Sequence, residues 1–529
     1  MVEAFVIPTG SMAPGLMGQH AQHRCALCRY SFVYGIREDM QTADGRPIAG
    51  TLRNQFDVQC PNCGYSSGGN TALNKPDRRV VASAGDRILV LKWPYDIGGD
   101  LLGPKRWDVV VFKDPTDGDT NFIKRLIGLP GEVVQIIDGD IYTASAKDVP
   151  EDIRAALSVP PPRGMPDARR LTPPQFEKLA SLLQIRRKTP VAQESLWMLH
   201  YDHDFQPDLS TPGPPDFNPP VWRPEAGESG WDASTPRVKF SPKSNVEQWI
   251  RLEGKPIEDN YGYNDVSIHK VQHRGKLVGD VLIGMVAVPL GGQGHLSLSL
   301  RKGADEFVAR VQVDGSVTLS RIGEREVTVE LDRKKIEPLE PGRSLKVEFE
   351  NLDFRVALRI NGEEIVATSD AQYAPDPVNM VLNYGRDDVR NAATVRLGAQ
   401  QLPLEIRHLT ICRDVYYRSD CTLEELNQFN RPNPYANLAG WGTTLNPILL
   451  REDPPDFYCL GDNSPQSKDS RLWWEACQTL RDRNNYQIGT VPGDQLIGRA
   501  FFVYWPSGYR LSKETPAVIP NIGRMRMIR

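Results

Sequence analysis

The chain has no run of about 18 apolar residues anywhere in its 529 positions, which excludes a membrane-spanning helix within it. It has no surplus of either charge. Its 63 lysines and arginines stand against 67 aspartates and glutamates, and the formal net charge of −4 leaves no whole-chain footprint for nucleic acid. No segment reads as a cleavable targeting signal. Cysteine is limited to eight residues and histidine to eight. What the chain does have is 43 prolines, 44 glycines and 40% hydrophobic residues, the make-up of a loop-rich β protein rather than a helical bundle. One core cannot serve a chain of this length, so several domains are expected.

Three short stretches fit one another chemically. They are Ile-Pro-Thr-Gly-Ser-Met-Ala-Pro at 7–14, Phe-Ile-Lys-Arg-Leu-Ile-Gly-Leu-Pro-Gly-Glu at 122–132, and Gly-Asp-Asn-Ser-Pro-Gln-Ser-Lys-Asp-Ser-Arg at 461–471. Together they supply a serine, a lysine and a polar loop. A serine hydroxyl is a poor nucleophile until a base takes its proton, and a lysine becomes that base only where burial disfavours its charged form. Lys124 sits among Phe122, Ile123, Leu126 and Ile127, the setting a neutral amine needs. Each residue also has a plainer reading. Ser11 lies in a Pro/Gly-rich stretch that favours turns, Lys124 fits a strand with one charged side chain reaching solvent, and the Asn-Ser-Pro loop fits a tight turn.

In combination, the three stretches resemble the boxes of type I signal peptidases, membrane-anchored Ser-Lys endopeptidases that remove signal peptides from exported preproteins. Arg-Trp-Asp-Val-Val-Val-Phe-Lys at 106–113 resembles a further box of that family, and 496–506 its closing strand. The resemblance implies Ser11 as nucleophile, Lys124 as general base, and Thr9 as the side-chain oxyanion donor beside the Ser11 N–H. It further implies that Ser467 hydrogen-bonds the lysine amine and that Asp469 and Arg471 fix the loop. The preprotein would bind as an added strand between 5–10 and 121–123, with Val6, Ile7, Met12, Asn121, Phe122 and Ile123 in contact and shallow pockets admitting only small residues such as alanine. No cofactor is implied for catalysis. Two departures stand out: Gly15 replaces the usual threonine, and Ser464-Pro465 replaces the usual Arg-Asp.

The expected architecture is mainly β, a coiled β catalytic domain interrupted by a zinc-ribbon-like insertion and a β-sandwich. Residues 1–18, 80–145 and 416–529 make up the catalytic parts, the last with its return segment. In the insertion at 19–79, Cys25-Ala-Leu-Cys28 and Cys60-Pro-Asn-Cys63 form two C-x2-C pairs, each followed by a tyrosine, Tyr30 and Tyr65. Four thiolates so arranged suit structural zinc, and a small segment poor in hydrophobic residues needs such a staple. Two disulfides are the alternative, disfavoured because vicinal C-x2-C bridges are strained. His20 and His23 find no ligand position left to fill, and mixed charge argues against nucleic acid.

Residues 146–230 read as a Pro-rich insertion with a short Thr172-capped helix. His200, Asp202, His203 and Asp204 read as surface loop rather than as a metal site. From 231 to 415, alternating segments at 295–300, 307–313, 316–320, 327–331, 345–349, 354–360 and 404–412, with turn signals Asp314-Gly315 and Asn361-Gly362, predict a β-sandwich resembling laminin-G or concanavalin-like modules. Such a module could take a glycan or protein ligand. A further short helix is expected at 422–429. Cys412, Cys421, Cys459 and Cys477 show no metal spacing, and Arg524, Arg526 and Arg529 form a basic tail that could touch anionic lipid.

The resemblance implies membrane lipid as a partner and a catalytic domain on the outer face of the cytoplasmic membrane. Its N-terminal anchor is absent from this chain, and a start called too far downstream is the expected reason. Two rival functions are an inactive envelope scaffold that binds through its sandwich, and a self-cleaving Ser-Lys repressor. The latter would lack the 461–471 loop.

Overall fold

The computed structural model describes residues 1–36, 58–67, 83–97, 102–159, 170–210, 217–226, 229–264, 275–323, 327–384, 392–419, 439–483, 486–507 and 521–528. The chain is mainly β. Its first large sheet is antiparallel and runs, in spatial order, Val2–Val6, Arg87–Leu91, Leu496–Trp505, Val109–Lys113, Asn121–Gly128, Asp456–Leu460 and Val491–Pro492. Arg87–Leu91 alternates outward and inward residues, with Ile88 and Val90 fully buried against Val109, Val111, Ala500 and Val503. Period-2 burial of this kind lets one sheet face close a core while the other meets solvent. A four-stranded sheet, Gln184–Ile185, Asp140–Ser145, Glu132–Ile137 and Ile448–Leu449, continues from it. Residues from both ends of the chain and from its middle therefore build one unit.

Two further antiparallel sheets face each other across a single core. One runs Trp231–Asp232, Val238–Phe240, Leu404–Arg413, Val281–Pro289, Leu345–Leu352, Arg355–Ile360 and Glu363–Ala367; the other runs Val221–Pro224, Gln248–Glu253, Thr394–Gln400, His295–Lys302, Asp305–Gln312, Ser316–Ile322 and Thr328–Lys335. Ile283, Leu298, Phe307, Phe349 and Leu397, all fully buried, fill the space between them. The Asn361-Gly362 hairpin has φ of 54° and 86°, the left-handed pair that a two-residue turn requires.

The seven alternating segments are strands. Val281–Pro289 is a further, central strand, and its almost continuously apolar run carries no period of two in residue type. Strand pairing also extends beyond the 231–415 limits: Met198–Asp202 pairs with Leu404–Arg413, and Val221–Pro224 with Gln248–Glu253. The stretch expected as surface loop is therefore part of a sheet. His200 and Asp202 lie on a strand, His203 is buried with a ring nitrogen 3.0 Å from the Thr235 carbonyl, and the four residues form no metal cluster among the described residues. The Thr172-capped helix spans Pro173–Ala180 and packs Phe176 and Leu179 inward. The helix expected at 422–429, and Cys421 with it, lies outside the described residues.

The sandwich and the four-stranded sheet meet over a buried ion network. Carboxylate oxygens of Asp140, Asp280, Asp353 and Asp414 lie within 4.8 Å of one another. Lys188 Nζ reaches Asp353 at 2.6 Å and Asp414 at 2.7 Å, and Lys302 Nζ reaches Asp280 at 2.5 Å. Burial opposes the Lys188 charge, but Asp353 and Asp414 hold its pKa well above the ordinary value. Burial pushes the Asp414 carboxyl up to about 6. The folded chain thus keeps a proton on Asp414 that the unfolded chain releases, a contribution to stability that is lost as pH rises through about 6. Removing one partner strands the others: Lys188→Met should lower unfolding free energy by about 3–5 kcal/mol. Denaturant titration measures this, and an unchanged midpoint would count against the network.

Candidate active site

The segment after Val2–Val6 leaves the sheet at Ile7 and turns at Thr9–Gly10, and the turn is closed by the Ala13 N–H on the Gly10 carbonyl at 3.0 Å. Ile7 and Met12 anchor it in the apolar core, which leaves Ser11 at the surface of that core with 8% exposure. Lys124 comes from Asn121–Gly128, where it pairs with Val110, and is 4% exposed. The two meet: Lys124 Nζ lies 2.8 Å from Ser11 Oγ and 3.1 Å from the Ile123 carbonyl oxygen, with the Phe122 ring 5.0 Å away. The Ser11 hydroxyl, the strand's own carbonyl and the Phe122 ring thus enclose the amine.

The loop at 461–471 closes the site from the other side. Arg471 grips Asp469 through two hydrogen bonds of 2.8 and 2.7 Å, and both residues are fully buried. Asp469 also accepts the Gly461 N–H at 3.0 Å, and Arg471 donates to the Ser464 hydroxyl at 2.7 Å and the Ser464 carbonyl at 3.0 Å. Ser464, one of the two departures from the family pattern, also accepts the Arg418 N–H at 2.8 Å and so ties the loop to the returning chain. Asp462 holds Arg125 at 2.8 Å through both oxygens. Gly461 is required by close approach: a Cβ there would lie 2.2 Å from Ser467 Oγ and 2.5 Å from the Ser11 carbonyl oxygen.

Ser467 departs from expectation. It is buried beside the nucleophile's backbone, but its hydroxyl makes no hydrogen bond, so the bond to the Lys124 amine is not formed in this arrangement. Thr9 is half-buried two residues before Ser11, its backbone packed against Gly18, where a Cβ would lie 2.3 Å from the Thr9 carbonyl carbon. Of the expected substrate contacts, Val6 and Asn121 are exposed and Phe122 is half-buried. Ile7, Met12 and Ile123 lie beneath the surface as the floor rather than as open pocket walls, because they share one apolar cluster with the sheet. Pairing of Asp456–Leu460 with Asn121–Gly128 covers only positions 125–128. Among the described residues, the edge of 121–124 on that side carries no strand, and Val2–Val6 pairs on one side only.

Beyond the site, Arg524 and Arg526 turn back onto the nucleophile segment, while Arg529 lies outside the described residues. Arg526 donates to the Gly15 carbonyl and lies 3.5 Å from Asp86, and Arg524 reaches the Met17 sulfur at 3.1 Å. The tyrosine-rich segment around 261–264, which carries no motif, also packs against the site. Only folding reveals that contact.

The four cysteines of the insertion come together. All four are buried, their sulfurs lie within 4.8 Å of one another, and the Cys25–Cys63 and Cys28–Cys60 sulfurs are 3.6 Å apart, with no disulfide among them. Sulfurs about 2.3 Å from a tetrahedral zinc ion are separated by a little under 4 Å, so the cluster fits a metal. The two knuckles repeat each other: Cys25 N–H to the Tyr30 carbonyl and Cys60 N–H to the Tyr65 carbonyl, both 2.9 Å, with Arg29 and Gly64 in the left-handed region at φ 64° and 73°.

A family model described as signal peptidase, peptidase S26, matches residues 79–205 and 442–505. These segments contain Lys124 and the 461–471 loop, whereas Ser11 precedes them. Over 44 residues the chain is 52% identical to proteins named Signal peptidase I from Rickettsia akari and Rickettsia prowazekii, a stretch covering 8% of this chain and 16% and 17% of theirs. The chain spans about a sixth of the length of the curated relatives it matches. Among solved structures, it resembles a carbohydrate-binding module from Bacillus subtilis, with 11% identity, 36% of this chain, 94% of that one and a TM-score of 0.24. It also resembles the catalytic domain of a Thermotoga petrophila laminarinase, with 11% identity, 41% and 98% coverage and a TM-score of 0.26. Likenesses at such scores support no inference. The family match supports a signal peptidase reading over part of the chain.

Proposed function

We propose that the chain is a serine endopeptidase that removes signal peptides from exported preproteins at small-x-small sites, with Ser11 as nucleophile and Lys124 as general base. The observation that carries this reading is the 2.8 Å approach of Lys124 Nζ to Ser11 Oγ in a buried setting, beside a strand edge that carries no neighbouring strand among the described residues and a polar loop held by buried hydrogen bonds. A neutral Lys124 accepts the Ser11 proton as Oγ attacks the scissile carbonyl. The Ser11 N–H and the Thr9 hydroxyl hold the resulting oxyanion, and the lysine passes the proton to the leaving amine. Water activated by the same amine then hydrolyses the ester. The preprotein adds as a strand along 121–123 against the segment after Val6, and the apolar floor of Ile7, Met12 and Ile123 leaves room for small side chains only. Such work places the domain at the outer face of a membrane, although no described helix is long and apolar enough to cross one. Cys25, Cys28, Cys60 and Cys63 would hold a structural zinc ion that takes no part in the chemistry.

Incubation with an Ala-x-Ala preprotein tests the proposal. The chain should release the signal peptide, and Ser11→Ala should abolish the cut. Retained cleavage in that variant would reject Ser11 as nucleophile.

A further inference from the structure

The two peptide units that flank Ser11 are both held by Asn463. Its side-chain amide donates to the Gly10 carbonyl at 3.0 Å, and its backbone N–H donates to the Ser11 carbonyl at 3.0 Å. A trans peptide is planar, with its C=O and N–H pointing in opposite directions. A donor that fixes the Gly10 carbonyl therefore also aims the Ser11 N–H, which is the backbone oxyanion donor of the proposed mechanism. The Ala13 N–H shares that carbonyl, but it belongs to the same turn and moves with it. Asn463 is the outside support.

The orientation of the Asn463 amide is set from elsewhere in the chain. Asn264 Nδ2 donates to Asn463 Oδ1 at 2.8 Å, and Asn463 Nδ2 donates to Asn264 Oδ1 at 2.7 Å, a reciprocal pair in which both residues are at least 99% buried. Asn463 Nδ2 thus serves Asn264 and Gly10 at once, and its oxygen is taken by Asn264. Without Asn264 the amide could flip and present oxygen to the Gly10 carbonyl. The neighbours of Asn264 press on the same elements. The Tyr261 hydroxyl donates to the Asp462 carbonyl at 2.7 Å, and the Tyr263 hydroxyl to the Gln19 carbonyl at 3.1 Å. The Tyr263 ring fills the space over Gly10, where a Cβ would lie 2.3 Å from it.

We infer that Asn264 is a positioning residue for the reaction: through Asn463 it locks the Gly10–Ser11 peptide so that the Ser11 N–H faces the developing oxyanion. Residues 261–264 lie outside the segments that match the family model, so a part of the chain foreign to that match completes the active site. The inference rests on the Ser11–Lys124 reading.

The test uses the full chain and an Ala-x-Ala preprotein, with kcat and KM measured separately. Asn264→Asp keeps the shape but removes the donor and sets a carboxylate oxygen against Asn463 Oδ1, so it should lower kcat about as far as Asn264→Ala. Both should fall roughly 10- to 100-fold with KM within about twofold, the loss expected when a support of one oxyanion donor is weakened. Asn264→Ala and Asn463→Ala should not multiply when combined, since they act through one chain of bonds. Folding is followed by the thermal midpoint. A folded Asn264→Asp with wild-type kcat overturns the inference, as does a full multiplication of effects in the double variant. Cleavage that survives Ser11→Ala defeats the underlying reading instead, whatever the Asn264 variants do.

Discussion

Lys124→Met should leave a folded protein that cuts a preprotein at least about 10⁴-fold more slowly than wild type. Methionine fits the Lys124 pocket in length and preserves contacts with Phe122 and the strand, so stability should change little or rise because a buried polar group is lost. What disappears is the amine that lies 2.8 Å from the Ser11 hydroxyl and that the proposed reaction uses as proton acceptor. Members of a nucleophile–base pair act as a unit, and removing either costs about as much as removing both, so Lys124→Met and Ser11→Ala should give similar residual rates and their combination no further loss. Lys124→Arg should be equally inactive, since a guanidinium does not give up its proton. Purified variants and a labelled preprotein settle the matter by gel. Activity within tenfold of wild type in Lys124→Met would remove the base from the mechanism.

Removal of metal from the cysteine cluster should unfold the insertion and carry part of the activity with it. Leu27, Phe32, Tyr34 and Val58 surround Cys25, Cys28, Cys60 and Cys63, with Tyr30, Tyr65, Phe205 and Phe217 packed against them, and an ion held by the four thiolates would tie the two knuckles together at their centre. The strand His20–Arg24 begins nine residues after Ser11 and pairs with Ser31–Gly35. That hairpin is fastened to the site by the Gly35 N–H on the Tyr263 carbonyl at 2.7 Å and the Ile36 N–H on the Gln19 carbonyl at 3.1 Å. Loosening it frees Tyr263 from Gly10. Elemental analysis should find one zinc per chain, Cys28→Ser and Cys60→Ser should lose it together with thermal stability, and strong chelation should lower cleavage by about tenfold or more, reversibly on adding zinc back. Metal-free protein of wild-type stability would make the four thiols merely close neighbours.

Much of the site could be read from local chemistry. Ser11, Lys124, Asp469 and Arg471 carry their signal in short stretches whose residue types are unusual together, and the folded chain brings all four to one place. The same holds for the C-x2-C pairs and for sandwich strands such as His295–Lys302, where Leu296, Leu298 and Leu300 alternate with serines. Alternation and motif spacing are properties of neighbours along the chain. Val281–Pro289 carries no such signal, because its residues are almost all apolar although their burial alternates over most of the strand.

The sequence by itself determined a mainly β chain, a serine and a lysine suited to each other, and four cysteines suited to one ion. Each of these depends on residue type and short spacing. Only the tertiary structure decided that Asn264 and Tyr263 stand over the Gly10–Ser11 turn, that the Ser467 hydroxyl is left unbonded, that Arg524 and Arg526 fold back onto residues 15–17, and that Lys188 and Lys302 neutralise carboxylates from distant strands. Hydrogen bonds and ion pairs between residues hundreds of positions apart depend on where the backbone puts their atoms to within a few tenths of an ångström, and no pattern along the chain records that distance.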